Sequence, residues 1–217
     1  MSLGKMIKSE YDVIVVGAGP AGSTTAERCA SRGLNTLLLE KRQEIGVPVR
    51  CGEGISQNNM NELGMTLPSH TWRQRILGAY VYAPNGKEVK IKGEKTDGYI
   101  LERKSFDKWL AENAARKGAM VMTKASVNEL ILDKTQGADG KTISNVKGVK
   151  VNVGGDEFEI RSKVVVAADG VESMTLRRAG IRSQKKLHLV DSGFQYLMVN
   201  IKNKDPAMIE LWLGAKI

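Results

Sequence analysis

The sequence is short of the residues that identify several protein classes. Two cysteines in 217 residues, Cys29 and Cys51, cannot build a disulfide framework, so packing must hold the core and a reducing cytoplasm is the expected setting. His70 and His188 are the only histidines and stand apart, and nothing around them has metal-ligand or nucleophile-triad spacing, so no metal site is expected. Aromatics make up 5% and none interleaves with the basic residues, which excludes the stacking surface that single-stranded nucleic acid needs. No apolar run approaches the roughly 18–20 residues of a membrane-spanning helix. The first ten residues are polar and lack the apolar stretch of a secretory signal. Positive charge, by contrast, is in excess: 33 Lys+Arg against 24 Asp+Glu, or +9. It is scattered through 87–95, 161–163 and 177–186, which favours anionic small molecules or lipid headgroups as partners over nucleic acid.

What is present reads as alternating strands and helices. Residues 11–16 form a β-branched apolar run typical of a strand buried on both faces. A glycine-rich turn follows, then a helix over 20–32 opened by Pro20 and stopped by Gly33, with Ala26, Cys29 and Ala30 on a small-residue packing face. Residues 34–39 make a second buried strand, so 11–39 is a βαβ unit with parallel strands. Residues 41–54 read as a loop and 55–63 as a short helix. Asn85-Gly86 between 79–82 and 88–91 predicts a β-hairpin. Ser105 is the expected cap of a helix over 106–117 that buries Phe106, Leu110 and Ala114. Strands are expected at 119–123, at 127–132, 146–153 and 157–160 as a meander with turns at 137–140 and 154–155, and at 164–168 as a third buried strand. A short helix at 173–179 and strands at 195–201 and 209–213 complete the reading.

Chemistry concentrates in Gly17-Ala18-Gly19-Pro20-Ala21-Gly22. This run leaves a strand, opens a helix and has Glu40 23 residues beyond Gly17, which is the dinucleotide-binding fingerprint in its required context. Gly17 makes the turn, Gly19 lets backbone approach a pyrophosphate, and Gly22 lets helix and strand pack closely. The helix N-terminus offers N–H groups and a positive dipole end. Glu40 can accept from ribose hydroxyls and would repel a 2′-phosphate. The fingerprint alone leaves NAD and FAD both open.

Two further segments bear on that choice. The segment 164–170, ending in Ala168-Asp169-Gly170 and followed by Ser173 and Arg177-Arg178, resembles the Ala-Asp-Gly segment of flavoprotein hydroxylases with the p-hydroxybenzoate hydroxylase fold, and Arg103-Lys104-Ser105-Phe106-Asp107 resembles their Arg-x-x-Phe-Asp segment. The run from Glu40 through Arg50-Cys51-Gly52-Glu53-Gly54 resembles the signature of the geranylgeranyl reductase family, above all its archaeal digeranylgeranylglycerophospholipid reductases. The resemblance implies an α/β fold: a Rossmann-like FAD-binding domain with a parallel sheet, at 1–75 and 99–185, interrupted by an antiparallel-sheet substrate domain at 76–98 and 186–217. It implies FAD as cofactor and a flavin-dependent oxidoreductase acting on CH–CH groups, reducing isoprenoid double bonds of archaeal membrane glycerophospholipids. The implied cofactor contacts are Gly17, Gly19, Ala21, Gly22, Glu40, Cys51, Gly52, Gly54, Arg103, Val127 (through its backbone to the adenine) and Asp169. Cys51 is the implied catalytic-site residue beside the flavin; Cys29 reads as a small buried hydrophobe.

The resemblance also sets expectations about partners and extent. The substrate is a prenylated glycerophospholipid. Only one dinucleotide fingerprint is present, so the electron donor docks transiently as ferredoxin, NAD(P)H or a deazaflavin. Peripheral contact with the inner face of the membrane follows from such a substrate. The family's chains continue beyond the equivalent of Ile217, with a later Gly-Asp segment that contacts the flavin. The chain is therefore read as an N-terminal half with an uncovered sheet edge. A flavin monooxygenase, a quinone-linked dehydrogenase of the same fold and a non-catalytic nucleotide-binding fragment remain the alternatives.

Overall fold

The computed structural model describes residues 7–93, 97–136, 142–181, 190 and 192–214. The expected turn at 137–140, His188 and the basic residues of 182–186 lie outside them. The chain divides into two compact units, one made of Met1–Val47 and Asp107–Asp191, the other of Pro48–Phe106 and Ser192–Ile217.

The first unit begins with strand β1 (Glu10–Val16), helix α1 (Pro20–Ala30) and strand β2 (Thr36–Leu39). Pro20 occupies the first helical turn, and the helix ends before a turn in which Gly33, at φ +78°, returns its N–H to the Ala30 carbonyl at 2.9 Å. The second unit supplies β3 (Gly54–Ser56), α2 (Gln57–Glu62), β4 (Trp72–Ile76), β5 (Gly78–Tyr82), β6 (Glu88–Lys92) and β7 (Gly98–Leu101). Helix α3 (Arg103–Arg116) carries the chain back to β8 (Met120–Met122), β9 (Ala125–Gln136), β10 (Thr142–Val153), β11 (Asp156–Ala167) and α4 (Met174–Arg178), and β12 (Met208–Trp212) belongs to the second unit.

One six-stranded sheet, in the order β8-β2-β1-β11-β10-β9, organises the first unit. β8, β2, β1 and β11 run parallel, whereas β10 and β9 join as antiparallel neighbours. Two layers of side chains cover it. On one face Val13, Val15 and Leu38 pack with Ala26 and Ala30 of α1 and with Ala111 and Ala114 of α3. On the other, Ile14, Leu37 and Leu39 pack with Val127, Val149, Val151 and Ile160. Cys29 lies against the first layer, the small-hydrophobe position expected of it.

The second unit holds two three-stranded sheets, β12-β5-β6 and β3-β7-β4. In the β5–β6 hairpin Gly86 takes φ +80° and Asn85 Oδ1 accepts from Lys87 N at 3.1 Å, as Asn-Gly predicts.

The structure corrects several expectations. Residues 195–201 form no strand; their β-rich composition has no ladder partner among the described residues, and β-propensity without pairing does not make a strand. β12 joins β5 in parallel, so this sheet is mixed rather than purely antiparallel. The strands read at 157–160 and 164–168 are one strand, β11, whose first part pairs with β10 and whose last part pairs with β1. Its Val164 is 51% exposed, because the helix-covered layer reaches this chain segment at Val166 and, just past the strand, at Ala168. Helix α3 starts at Arg103, before the expected Ser105 cap. Ile55 is in β3, not helical, since Gly54 and Ser56 pair across to β7. That pairing and the β4–β7 ladder place 48–75 in the second unit, whereas the sequence reading set them with the parallel sheet.

Candidate functional site

In the first unit the candidate residues gather at the carboxyl ends of the parallel strands, where open α/β sheets bind ligands. β1 ends at Val16 and Gly17 turns the chain. Gly17 N donates to Leu39 O at 2.7 Å and Ala168 N donates to Val16 O at 2.9 Å, so the turn is tied to the ends of β2 and β11. Gly17 has φ +101°, and a Cβ there would lie 2.4 Å from the Ala168 carbonyl oxygen. At Gly22 a Cβ would fall 1.8 Å from the Gly17 oxygen. Both glycines are thus fixed by close packing within the protein. Gly19 differs: its backbone is extended at φ −72°, and a Cβ would meet nothing within 4 Å. It fronts open space at the start of α1.

That helix end is arranged for an anion. The Gly19 cap has no side-chain capping bond, Pro20 has no N–H to satisfy, and no acidic residue stands in the first turn. Ala21 and Gly22 precede the first intrahelical bond, which runs from Ser23 N to Gly19 O at 2.9 Å. A pyrophosphate fits this open, uncapped and unacidic terminus.

Glu40, half-buried just past β2, clamps the turn from the other side. Its Oε2 accepts from Ala18 N at 3.0 Å and its Oε1 from Arg42 N at 2.9 Å. Each oxygen keeps a lone pair for a further donor such as a ribose hydroxyl. Chain crossings beside it close the rim: Glu40 N donates to Met122 O at 2.8 Å and Ala125 N to Glu40 O at 2.9 Å.

Val127 and Asp169 belong to the same unit but have local work. The Val127 side chain is in the core, and its carbonyl accepts from Arg178 Nη1 at 2.9 Å. Asp169 Oδ2 accepts from Thr175 N at 2.7 Å and Thr175 Oγ1 at 3.0 Å, holding the start of α4 after Ser173, which sits at φ +46°. Arg178 follows the Ala168-Asp169-Gly170 segment in sequence, but its bond to the Val127 carbonyl could not be read there.

Cys51, Gly52, Gly54 and Arg103 belong to the second unit. Cys51 is exposed, its N donates to Gln195 Oε1 at 3.3 Å, and its sulfur accepts from Glu53 N at 3.3 Å. A Cβ at Gly52 or Gly54 would meet nothing within 4 Å, so both leave backbone accessible. Arg103 opens α3, and its N donates to Glu53 Oε1 at 3.4 Å. The preceding residue, Glu102, pairs with Arg73 and donates its N–H to Thr71 O at 2.9 Å, which anchors the helix start to the β4 approach. Glu53 therefore touches both candidates. A glutamate between two glycines reads in sequence as solvated loop, so its role is visible only in the fold.

Among the described residues no helix is long and apolar enough to cross a membrane.

Comparison with known proteins agrees with this arrangement. The digeranylgeranylglycerophospholipid reductase of Methanococcus vannielii is 43% identical over 210 residues, spanning 97% of this chain and 51% of that protein. The same-named protein of Methanocella arvoryzae is 43% identical over 214 residues, spanning 97% of this chain and 52% of that one. A solved structure of a geranylgeranyl bacteriochlorophyll reductase-like protein from Thermoplasma acidophilum superposes with a TM-score of 0.81 at 37% identity, over 95% of this chain and 51% of that chain. The chain thus spans about half the length of the relatives it matches. Residues 10–216 match the FAD binding domain family: the chain belongs to that family, and FAD is its cofactor.

Proposed function

We propose that this chain is the nucleotide-binding part of a flavin-dependent oxidoreductase that reduces carbon–carbon double bonds in the geranylgeranyl chains of glycerophospholipids. The observation that carries the nucleotide site is the open, uncapped N-terminus of α1 at Gly19 facing the Glu40 carboxylate's end of the sheet. The names of the relatives supply the substrate class.

Each residue has a role in this reading. Gly17 and Gly22 bring strand and helix close enough to form the cradle, and the N–H groups of Ala21 and Gly22, beside Gly19, bind the pyrophosphate. Glu40 orients the adenosine ribose through its hydroxyls. Val127 borders the adenine and Asp169 shapes the rim by fixing α4. Arg103, in the second unit, is read as a further cofactor contact. Cys51, Gly52 and Gly54 line the redox end, with Cys51 next to the substrate. Bound FAD supplies the electron pair for the reduction, and the protein's part is to bind, orient and exclude water. The prenyl double bond is not conjugated to a carbonyl, so no oxyanion-type donor set is required. An electron donor visits transiently, as ferredoxin, NAD(P)H or a deazaflavin, and the lipid substrate brings the protein to the inner membrane surface.

The first test is the absorbance of the purified 217-residue chain after FAD addition and desalting. Retained bands near ~450 and ~370 nm, the general signature of oxidised flavin, are expected, and Glu40→Ala and Gly19→Val should lose them. A chain extended to the relatives' length should then saturate digeranylgeranylglycerophospholipid under reducing conditions. Oxygen consumption coupled to NAD(P)H without lipid reduction would instead identify a monooxygenase.

A further inference from the structure

Glu53 is placed where a glycine would be cheaper. It stands between Gly52 and Gly54 with φ +63°, a conformation that glycine adopts freely and glutamate does not. Its polar groups are engaged in three directions. Its N–H donates to Cys51 Sγ at 3.3 Å, its carbonyl accepts from Leu101 N at 2.7 Å, and its Oε1 accepts from Arg103 N at 3.4 Å. Leu101 ends β7 and Arg103 opens α3, so the residue is latched on both sides of one corner. With its carbonyl and carboxylate held there, the orientation of its N–H is set, and that N–H points at the thiol. Left-handed backbone at a non-glycine residue persists where the surroundings over-determine it, and such positions cluster at functional sites.

We propose that Glu53 is a positioning residue: its carboxylate, held by the first N–H of α3, keeps the Cys51 thiol and Arg103 in fixed register at the redox end of the site. The inference rests on the reading of Cys51 and Arg103 as FAD-site residues, but the thiol part stands on geometry within the second unit alone. An N–H aimed at sulfur fixes the direction in which the thiol is presented. Without the side chain the N–H remains, but one of the two anchors that fix its direction is gone.

The test compares Glu53→Gly and Glu53→Gln with the wild-type chain, without FAD. Alkylation of Cys51 by iodoacetamide is followed by peptide mass, which separates it from Cys29. Melting temperature and FAD affinity are measured alongside. Glu53→Gly relieves the backbone conformation, so its melting temperature should equal or exceed wild type, while Cys51 alkylation slows about three- to tenfold, the scale of one lost hydrogen bond. FAD affinity should weaken by a similar factor. Glu53→Gln keeps a side-chain oxygen for Arg103 N and should stay within about twofold of wild type on both readouts. A Glu53→Gly protein that melts lower and alkylates at the wild-type rate would make Glu53 merely structural and overturn the proposal, as would one unchanged in every respect. Slower alkylation in a chain whose wild type binds no FAD would uphold the positioning role and remove the FAD-site reading instead.

Discussion

The six-stranded sheet of the first unit and the β12-β5-β6 sheet of the second use similar residues and finish differently. Ile14, Val15, Leu37 and Leu38 are completely covered, because helices pack on one face and the side chains of β9 and β10 on the other. In β12-β5-β6 the register puts Ala79, Val81, Val89, Ile91, Ile209 and Leu211 on a single face, yet Val89 and Ile91 are 57% and 58% exposed. The other face is aromatic and charged: Tyr82 stacks on Trp212 at 4.0 Å, and Lys204 lies 4.5 Å from the Tyr80 ring. Sidedness is written by alternation in the strand, whereas covering has to be supplied by another element. The first unit contains its covering elements.

The largest test of this contrast is a matched pair of truncations. Ile14→Ala should cost about 2–5 kcal/mol, as expected for a fully buried aliphatic side chain. Ile91→Ala should stay within about 0.5 kcal/mol, because most of that side chain already meets water. Chemical denaturation of both variants measures this, and equal losses would break the distinction between the sheets.

Glycines divide in the same way. Gly22→Ala puts a Cβ into the Gly17 carbonyl and should cost about 1–3 kcal/mol, since backbone cannot yield as a side-chain tip can. Gly19→Ala meets nothing and has ordinary φ, so its thermal midpoint should be close to wild type. It should nevertheless weaken FAD binding about tenfold or more by crowding the pyrophosphate approach. A Gly19→Ala chain with unchanged FAD affinity would move the phosphate away from this turn.

These contrasts also show what the sequence could and could not disclose. The βαβ unit was legible because continuous apolar runs, a glycine turn and a terminal carboxylate all agree locally, and Glu40 then stands at the turn it was read to serve. The Asn85-Gly86 hairpin was legible for the same reason. Trp72–Ile76 was not: alternate polar residues and a bulge opposite β7 hide a strand whose existence depends on β7. Residues 195–201 erred the other way, since their composition favours a strand and pairing is a property of neighbours. At the site, Glu53 and Arg178 lie within legible motifs but their roles were not legible, because they act through backbone groups distant in sequence, Arg103 50 positions from Glu53 and Val127 51 positions from Arg178.

A smaller effect is expected at Glu40. Glu40→Gln keeps one oxygen for a backbone N–H but turns an amide NH2 toward the other donor, so about 1 kcal/mol should be lost. Gly17 and its neighbours should loosen with it, and hydrogen exchange at Ala18 N and Arg42 N should rise. Unchanged protection at both would mean that the turn is held by β2 and β11 alone.

The smallest expected effect compares one ion pair from each unit. In the first, Asp12 Oδ1 accepts from Lys163 Nζ at 2.6 Å and Oδ2 accepts from Asn35 N at 2.8 Å. In the second, Glu88 accepts from Lys204 through both oxygens, at 2.7 and 2.8 Å. The hydrogen bond from Lys163 holds Asp12 below its ordinary 3.8, and the one from Lys204 holds Glu88 below its ordinary 4.5. A carboxylate depressed in the folded state contributes stability that is present above its ordinary value and is lost as pH falls through the folded one. Both lysines are raised above 10.5 by the same bonds, so their contribution persists to that pH and fades as pH rises through the folded value. Asp12→Asn and Glu88→Gln should therefore each lower the neutral plateau and flatten the acid and alkaline limbs, all slightly because these pairs are solvent-exposed. Asp12 additionally ties β1 to β11 through Lys163, whereas Glu88 fastens a strand with an uncovered face. The acid-limb change should consequently be larger for Asp12→Asn in melting curves taken from neutral pH downward, and a reversed order would show that the two-sided packing of the first unit does not strengthen its surface pairs.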